Sequence, residues 1–148
     1  EARTHVAFGN TLSGVVMCLT LITSEHGMEH ALSAYHPNLP HGAGLIMISR
    51  AYFSYFVRNH ACDERFIRMA QVMGMPEADK PEDFITALTR LQEACGVADL
   101  KMSDYGIAFE ECAKFMHNAR EVMGVMFTSD RIQMSDADII NIYQESWR

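Results

Sequence analysis

The stretch CDERFIRMAQVMGMP, residues 62–76, decides the fold class of this chain. Gly74 and Pro76 near its end are helix stop signals, because glycine readily takes the left-handed conformation that ends a helix and proline cannot continue one. Before them, five apolar residues recur at spacings of three and four, the period of one face of an α-helix: Phe66, Ile67, Met69, Ala70 and Met73. The stretch therefore predicts an amphipathic helix with its own end.

Glycine and proline divide the rest of the chain in the same way. The segments of helical length cover 3–22, 26–35, 42–59, 62–74, 81–95, 103–118 and 135–146. Helix starts are indicated by Pro81, by Ser103 and by Ser135. No stretch alternates as a strand would, and no repeat or long linker divides the chain. The sequence predicts an all-α fold, a single bundle-like domain of about seven helices over residues 1–148.

The composition excludes two classes of partner. A net charge of −7 leaves no basic surface for phosphates, so we expect neither nucleic acid nor an anionic membrane as partner. The four cysteines form no C-x-x-C pair and lie among apolar neighbours: Cys18, Cys62, Cys95 and Cys112. This usage predicts reduced core thiols in a cytoplasmic protein.

The segment 6–22 is apolar enough to be compared with a membrane span. Polar residues interrupt it and it falls short of about 20 apolar residues, so we expect a buried core helix. No cationic segment precedes it and no small-residue cleavage site follows, which argues against a signal peptide. The helical pattern already runs at Glu1, without an initiator methionine or a cap. We therefore expect the chain to be a piece of a longer protein.

Four of the seven histidines are clustered in SEHGMEHALSAYHPNLPHG, residues 24–42. His26 and His30 are four residues apart on a predicted helix, so both imidazoles project from one face. His41 lies in a constrained turn at the head of the next helix, where it could fold back over that face. Imidazole is a common ligand of iron, zinc and nickel. The pattern predicts that these three histidines meet at a metal or a substrate.

The remaining histidines lack this positioning. A histidine on an apolar face is usually only hydrogen-bonded in the core. His36 belongs to the cluster by sequence but has no partner at helical spacing, and we expect no site role for it. We expect His5, His60 and His117 to be structural or exposed.

His26-x-x-Glu29-His30 also matches the H-x-x-E-H pattern of inverzincin metallopeptidases. In that interpretation both histidines bind zinc and Glu29 is the general base. It requires a third ligand on a later helix and a sheet edge for an extended peptide, and no strand is predicted. A five-residue motif also recurs by accident.

A resemblance covers more of the chain. The segments AFGNTLSG (7–14), SEHGMEHAL (24–32) and LPHGAGL (39–45) closely resemble the second signature region of the iron-containing (group III) alcohol dehydrogenases. Later segments are similar to the same family: HNAR (117–120), FTSD (127–130) and a final helix that begins near Ser135. The pattern departs at Gly44-Leu45, where many members carry an asparagine, and in a spacing from His26 to His41 that is one residue longer than in some.

The resemblance implies a fold and a site. Members have an N-terminal α/β half that binds NAD or NADP and a C-terminal helical half, the dehydroquinate synthase-like α domain, and residues 1–148 resemble the latter. The family holds one divalent metal, usually Fe²⁺ and sometimes Zn²⁺, with one aspartate and three histidines. His26 and His41 match two of these metal ligands, and the other two belong to a helix that would precede Glu1. His30 matches a catalytic histidine beside the nicotinamide of the cofactor.

These implications define what we expect of the chain. It is the C-terminal half of a metal- and NAD(P)-dependent alcohol dehydrogenase, with a small alcohol or aldehyde as substrate and the N-terminal nucleotide-binding half as partner. The oligomeric state stays open, a homodimer included. We expect the chain alone to be inactive. The alternatives are a stand-alone helical interaction domain with structural histidines and the inverzincin-type peptidase.

Overall fold

A computed structural model describes all residues from 1 to 148, and it contains helices and no strand. The prediction of an all-α fold of seven helices is therefore confirmed. The helices in chain order are α1 (Ala2–Leu19), α2 (Ser24–Tyr35), α3 (His41–Arg58), α4 (Asp63–Val72), α5 (Glu82–Ala94), α6 (Cys112–Phe127) and α7 (Asp136–Ser146). Two short 3-10 helices, Met102–Tyr105 and Phe109–Glu111, precede α6.

Most predicted helix ends lie within two residues of the observed ones, but the sixth helix was placed wrongly. The sequence predicted a helix over 103–118, whereas α6 runs from Cys112 to Phe127 and two 3-10 helices occupy the preceding stretch. Gly106 has a φ of 75°, a left-handed conformation that ends the first 3-10 helix. Farther along, α6 continues through a kink at Met123.

Helix α2 is at the centre of the packing and is covered by α6 and α3. Met28, Ala31 and Leu32 are fully buried at spacings of three and four, so one face of α2 is enclosed by its neighbours. The hydroxyl of Tyr143 on α7 donates a hydrogen bond of 2.7 Å to the carbonyl of Met28. This bond satisfies the only polar atom of a fully buried aromatic side chain and ties the last helix to α2.

The other helices extend this core. α3 packs against α7 and α5, and α4 packs against α5. The largest fully buried side chains are aromatic: Tyr52, Tyr143 and Phe115. The rings of Phe66 on α4 and Phe84 on α5 stack with their centroids 5.2 Å apart. The stretch that predicted the fold class thus provides one side of an aromatic contact in the core.

The expectation that the segment 6–22 forms a buried core helix is wrong. The segment is helical as far as Leu19, but α1 has no buried residue. Phe8 is 63% exposed and Val6 is 73% exposed. The physical reason is that no other helix of the chain packs extensively on α1, so its apolar side chains face outward.

Two further expectations concern membrane spans and the four cysteines. No single helix is long and apolar enough to cross a membrane. Helices α1 and α2 have the required length and apolar character only when taken together, and the chain bends by 103° between them. All four cysteines are free, as predicted. Their placement in the core is correct only for Cys112, because Cys18 and Cys95 are exposed and Cys62 is partly exposed.

Candidate metal centre

Three histidines of the sequence cluster lie at the junction of two helices. His26 and His30 are on α2, one turn apart, and His41 is the first residue of α3. The tight connection between the helices, which includes Pro40, returns the chain so that the start of α3 lies over α2. His41 is 46% exposed at its side chain and the other two are partly buried. The site therefore lies at the surface, on a rigid base of packed helix.

The rings are close together. Nδ1 of His26 and Nε2 of His41 are 3.2 Å apart. The centroid of the His41 ring lies 5.3 Å from that of His26 and 5.2 Å from that of His30. The structure thus brings together the three histidines that the spacing singled out.

The two nearest nitrogens fit one divalent ion. Imidazole nitrogens bind zinc at about 2.0–2.1 Å, so two nitrogens 3.2 Å apart can both reach one ion. The donor chemistry also fits, because imidazole suits both iron and zinc.

Glu29 lies among the histidines and is fully buried. One carboxylate oxygen contacts Nδ1 of His41, and the other accepts a hydrogen bond from the hydroxyl of Ser33. Donor atoms of Glu29, His30 and His41 all lie within 4.8 Å of one another. The sequence offered Glu29 only as the base of a peptidase, and its contact with His41 was missed.

The electrostatics of the cluster favour neutral imidazole at His26. Burial lowers the pKa of His26, and the nearby rings of His41 and His30 lower it further, against a smaller raising effect of Glu29. A neutral ring keeps a lone pair for a metal. Next to it, burial raises the pKa of Glu25 to about 8.

The start of α2 is fixed from the far end of the sequence. Asp130 accepts hydrogen bonds from the backbone N–H of Ser24, at 3.1 Å, and from the hydroxyl of Tyr52, at 3.0 Å. A carboxylate on a free N–H at a helix start acts as a cap. Burial raises the pKa of Asp130, although these hydrogen bonds oppose the rise. Sequence spacing could not reveal this residue, because it is 106 positions away from Ser24.

The remaining histidines lie outside the cluster. His36, at the end of α2, is 3.0 Å from a carboxylate oxygen of Glu111. Burial raises the pKa of Glu111, but bonds from Ala108 and Lys114 and the charge of His36 outweigh it and lower that pKa to about 2. His36 thus has a carboxylate partner of its own, away from the site. His60 and His117 are exposed, at 71% and 80% of their side chains.

A surface groove with a volume of about 1140 Å³ lies elsewhere, along α4. None of the clustered histidines lines it, so it is a different surface from the histidine site. The histidines themselves lie on an open surface.

The peptidase interpretation conflicts with the geometry. A general base must reach a water molecule, whereas the carboxylate of Glu29 is fully buried and both of its oxygens have protein partners. The structure also has no strand that could hold an extended peptide. Both features argue against a peptidase site at Glu29.

Comparison with known proteins gives two kinds of match. The structure resembles the archaeal halo-thermophilic alcohol dehydrogenase ADH/D1 from a Red Sea brine pool, with a TM-score of 0.76 and 24% identity. It also resembles a 1,3-propanediol oxidoreductase, with a TM-score of 0.71 and 20% identity. Each match covers 84% of this chain and 32% of the solved chain, so the chain spans about a third of their length. At these identities the similarity supports the fold.

The match to a family model is more extensive. No curated protein matches the chain. The model of the Fe-containing alcohol dehydrogenase family, C-terminal, matches residues 1–147. This range includes the histidine junction and every helix described above, which agrees with the resemblance found in the sequence. The chain belongs to the Fe-containing alcohol dehydrogenase family and represents its C-terminal helical domain.

Proposed function

We propose that this domain contributes His26 and His41 as two ligands of one divalent metal ion in an alcohol dehydrogenase. The observation that carries the proposal is the 3.2 Å separation of Nδ1 of His26 from Nε2 of His41 at a solvent-accessible junction. Iron and zinc are the proposed metals, because imidazole suits both of them. A small alcohol, or the corresponding aldehyde, is the proposed substrate, since the two similar enzymes are an alcohol dehydrogenase and a propanediol oxidoreductase.

Each of the three histidines has a separate proposed role. When bound, the ion supplies Lewis-acid chemistry, which lowers the pKa of an alcohol on it. His26 and His41 hold it through ring nitrogens. His30 is the proposed catalytic residue beside the nicotinamide of NAD or NADP: its partly exposed ring, 5.2 Å from that of His41, can take a proton at a ring nitrogen and release it to solvent.

The other parts of the site are proposed to come from an N-terminal half. The two similar enzymes are about three times as long as the matched region, which leaves room in them for a nucleotide-binding domain. NAD or NADP is proposed to bind mainly to that half, which would also complete the metal ligands. We therefore expect the 148-residue chain alone not to reduce either nucleotide with a primary alcohol.

Metal affinity tests the proposal directly. We would titrate the chain with Zn²⁺ against a chromophoric chelator and compare His26→Ala and His41→Ala. Each variant should weaken binding by at least about tenfold, because losing one of two nitrogens removes half of the donors. The matched control is His117→Ala, which removes a histidine that is 80% exposed on α6. Unchanged affinity in both site variants, or an equal loss in the control, would overturn the proposal.

A further inference from the structure

Glu29, on α2, is a fully buried carboxylate. A buried carboxylate is costly unless hydrogen-bond donors satisfy it. The hydroxyl of Ser33, one turn later on α2, donates to Oε1, and Oε2 contacts Nδ1 of His41. Both oxygens therefore have partners.

Gly44 provides the space for this carboxylate. A Cβ atom at position 44 would lie 2.6 Å from both Cγ and Oε1 of Glu29, closer than real Cβ contacts. The backbone of α3 can therefore approach α2 at this point only with glycine. The departure from the family pattern at Gly44 thus coincides with the presence of a carboxylate beneath it.

The contact with Glu29 determines which nitrogen of His41 is available. A neutral imidazole has one N–H donor and one acceptor nitrogen. Because a carboxylate accepts, Nδ1 of His41 carries the hydrogen. The lone pair is then on Nε2, the atom that lies 3.2 Å from Nδ1 of His26. In the metal-free chain Nε2 can accept a hydrogen bond from His26.

We propose that Glu29 is a positioning residue, which holds His41 in the Nδ1–H tautomer with Nε2 directed at the metal position. Metal-bound histidines commonly donate their second N–H to a carboxylate, which fixes the tautomer and the ring and raises the basicity of the ligand. The metal part of this inference rests on the proposed function. The tautomer part rests on the contact between Glu29 and Nδ1 of His41, with the carboxylate as acceptor, and requires no metal.

A direct bond from Glu29 to the metal is the competing role. The 4.8 Å cluster of Glu29, His30 and His41 would allow it by distance. It would require the carboxylate, which has no exposed surface, to give up the contact with Nδ1 of His41. Burial and the two existing partners favour the positioning role.

The first measurement is made without metal. Long-range ¹H–¹⁵N NMR spectra of the imidazoles in the 148-residue chain should show His41 as the Nδ1–H tautomer. In Glu29→Gln the side-chain volume is kept but the amide can donate as well as accept, so His41 should change to a mixture or to the Nε2–H form. A wild-type His41 with its hydrogen on Nε2 would overturn the inference even if the variant failed to fold.

The second measurement uses Co²⁺ as a spectroscopic probe. Glu29→Gln should weaken Co²⁺ binding by about 10–100-fold, the usual effect of removing such a carboxylate, while the d–d bands keep their positions. The matched control is Glu111→Gln, which removes the carboxylate from His36 at 3.0 Å and should leave Co²⁺ affinity unchanged. Circular dichroism would confirm that both variants fold.

The outcomes separate the two proposals. If His26→Ala and His41→Ala bind Co²⁺ as tightly as the parent, the proposed function fails, whatever tautomer His41 has. If those variants weaken binding but Glu29→Gln does not, only the positioning role fails. Shifted d–d bands in Glu29→Gln would show that the carboxylate is itself a ligand and would also overturn the positioning role.

Discussion

Helices α1 and α3 are both 18 residues long and both rich in apolar side chains, yet they have opposite surroundings. α3 has eight buried residues and packs against α2, α5 and α7. α1 has none. Both contain glycines within the helix, but a Cβ at Gly9 would have no neighbour within 4 Å, whereas one at Gly44 would collide with Glu29.

The difference shows what an apolar pattern specifies. Helical periodicity depends on neighbouring residues in the sequence, so it predicted both helices. Burial depends on whether other helices cover the apolar face, and of these two helices only α3 is covered. An isolated helix of this length is marginal in water. The stability of α1 and that of the packed helices α2–α7 should therefore respond separately to mutation.

The largest expected effect comes from a matched pair of phenylalanines. Phe56 on α3 is 5% exposed and Phe8 on α1 is 63% exposed. Phe56→Ala should lower the free energy of unfolding by about 3–5 kcal/mol, because it removes a buried ring and leaves a cavity. Phe8→Ala should change it by less than about 0.5 kcal/mol. Urea unfolding followed by circular dichroism measures both.

One outcome for this pair would contradict the difference in burial between α1 and α3. Equal losses in the two variants would mean that Phe8 is covered in solution, and dilution would then show whether a second copy of the chain covers it. A loss confined to Phe56→Ala would support the independence of α1.

A matched pair of glycines tests the same difference between α1 and α3, and we expect a smaller change in stability. Gly44→Ala places a Cβ against the enclosed side chain of Glu29 and should cost about 1–3 kcal/mol of unfolding free energy, as overpacking does. In Gly9→Ala the new Cβ meets only open space. This substitution should stabilise the helical form of α1 by about 0.5–1 kcal/mol without moving the main unfolding transition. Ellipticity at 222 nm and the urea midpoint separate these responses. A stabilised main transition in Gly44→Ala would contradict the close approach of α3 to Glu29.

The sequence predicted the local features of the fold well. Gly74 has a φ of 100° at the end of α4, and Ser135 accepts a hydrogen bond from the backbone N–H of Asp138 at the start of α7, as their stop and start signals required. The predicted sixth helix begins too early because a left-handed turn at Gly106 interrupts an otherwise helical pattern. Local signals position helix ends; they do not report which faces are covered.

The candidate site was predictable in part for a similar reason. The spacing of His26 and His30 and the turn before His41 are local, and the structure brings these rings together. The contact between Glu29 and His41 depends on how α3 returns over α2, and Asp130 reaches Ser24 across 106 residues. Contacts between distant helices leave no period in a single sequence.

The smallest expected effect is a pH dependence that belongs to the packed helices and not to α1, which has no acidic residue. Asp130 bridges the start of α2 and Tyr52 of α3, and its Oδ2 is buried without a hydrogen-bond partner. Burial raises its folded-state pKa above 3.8, so the folded chain retains this proton at a higher pH than the unfolded chain. The stability that the protonated group contributes is then full below about 3.8 and is lost as pH rises through the folded-state pKa.

Asp130→Asn removes this titration while keeping the shape of the side chain. Above pH 3.8 the parent should lose stability relative to the variant, and the difference should become constant once Asp130 is ionised in both states. Urea midpoints from pH 3.5 to 7.5 would measure it, with Asp99→Asn as a control that removes an exposed carboxylate. The opposite slope, with the parent gaining stability relative to Asp130→Asn as pH rises, would mean that the bonds from Ser24 and Tyr52 outweigh burial. In that case Asp130 would hold α2 against α3 as an ionised cap at all pH values where the chain folds.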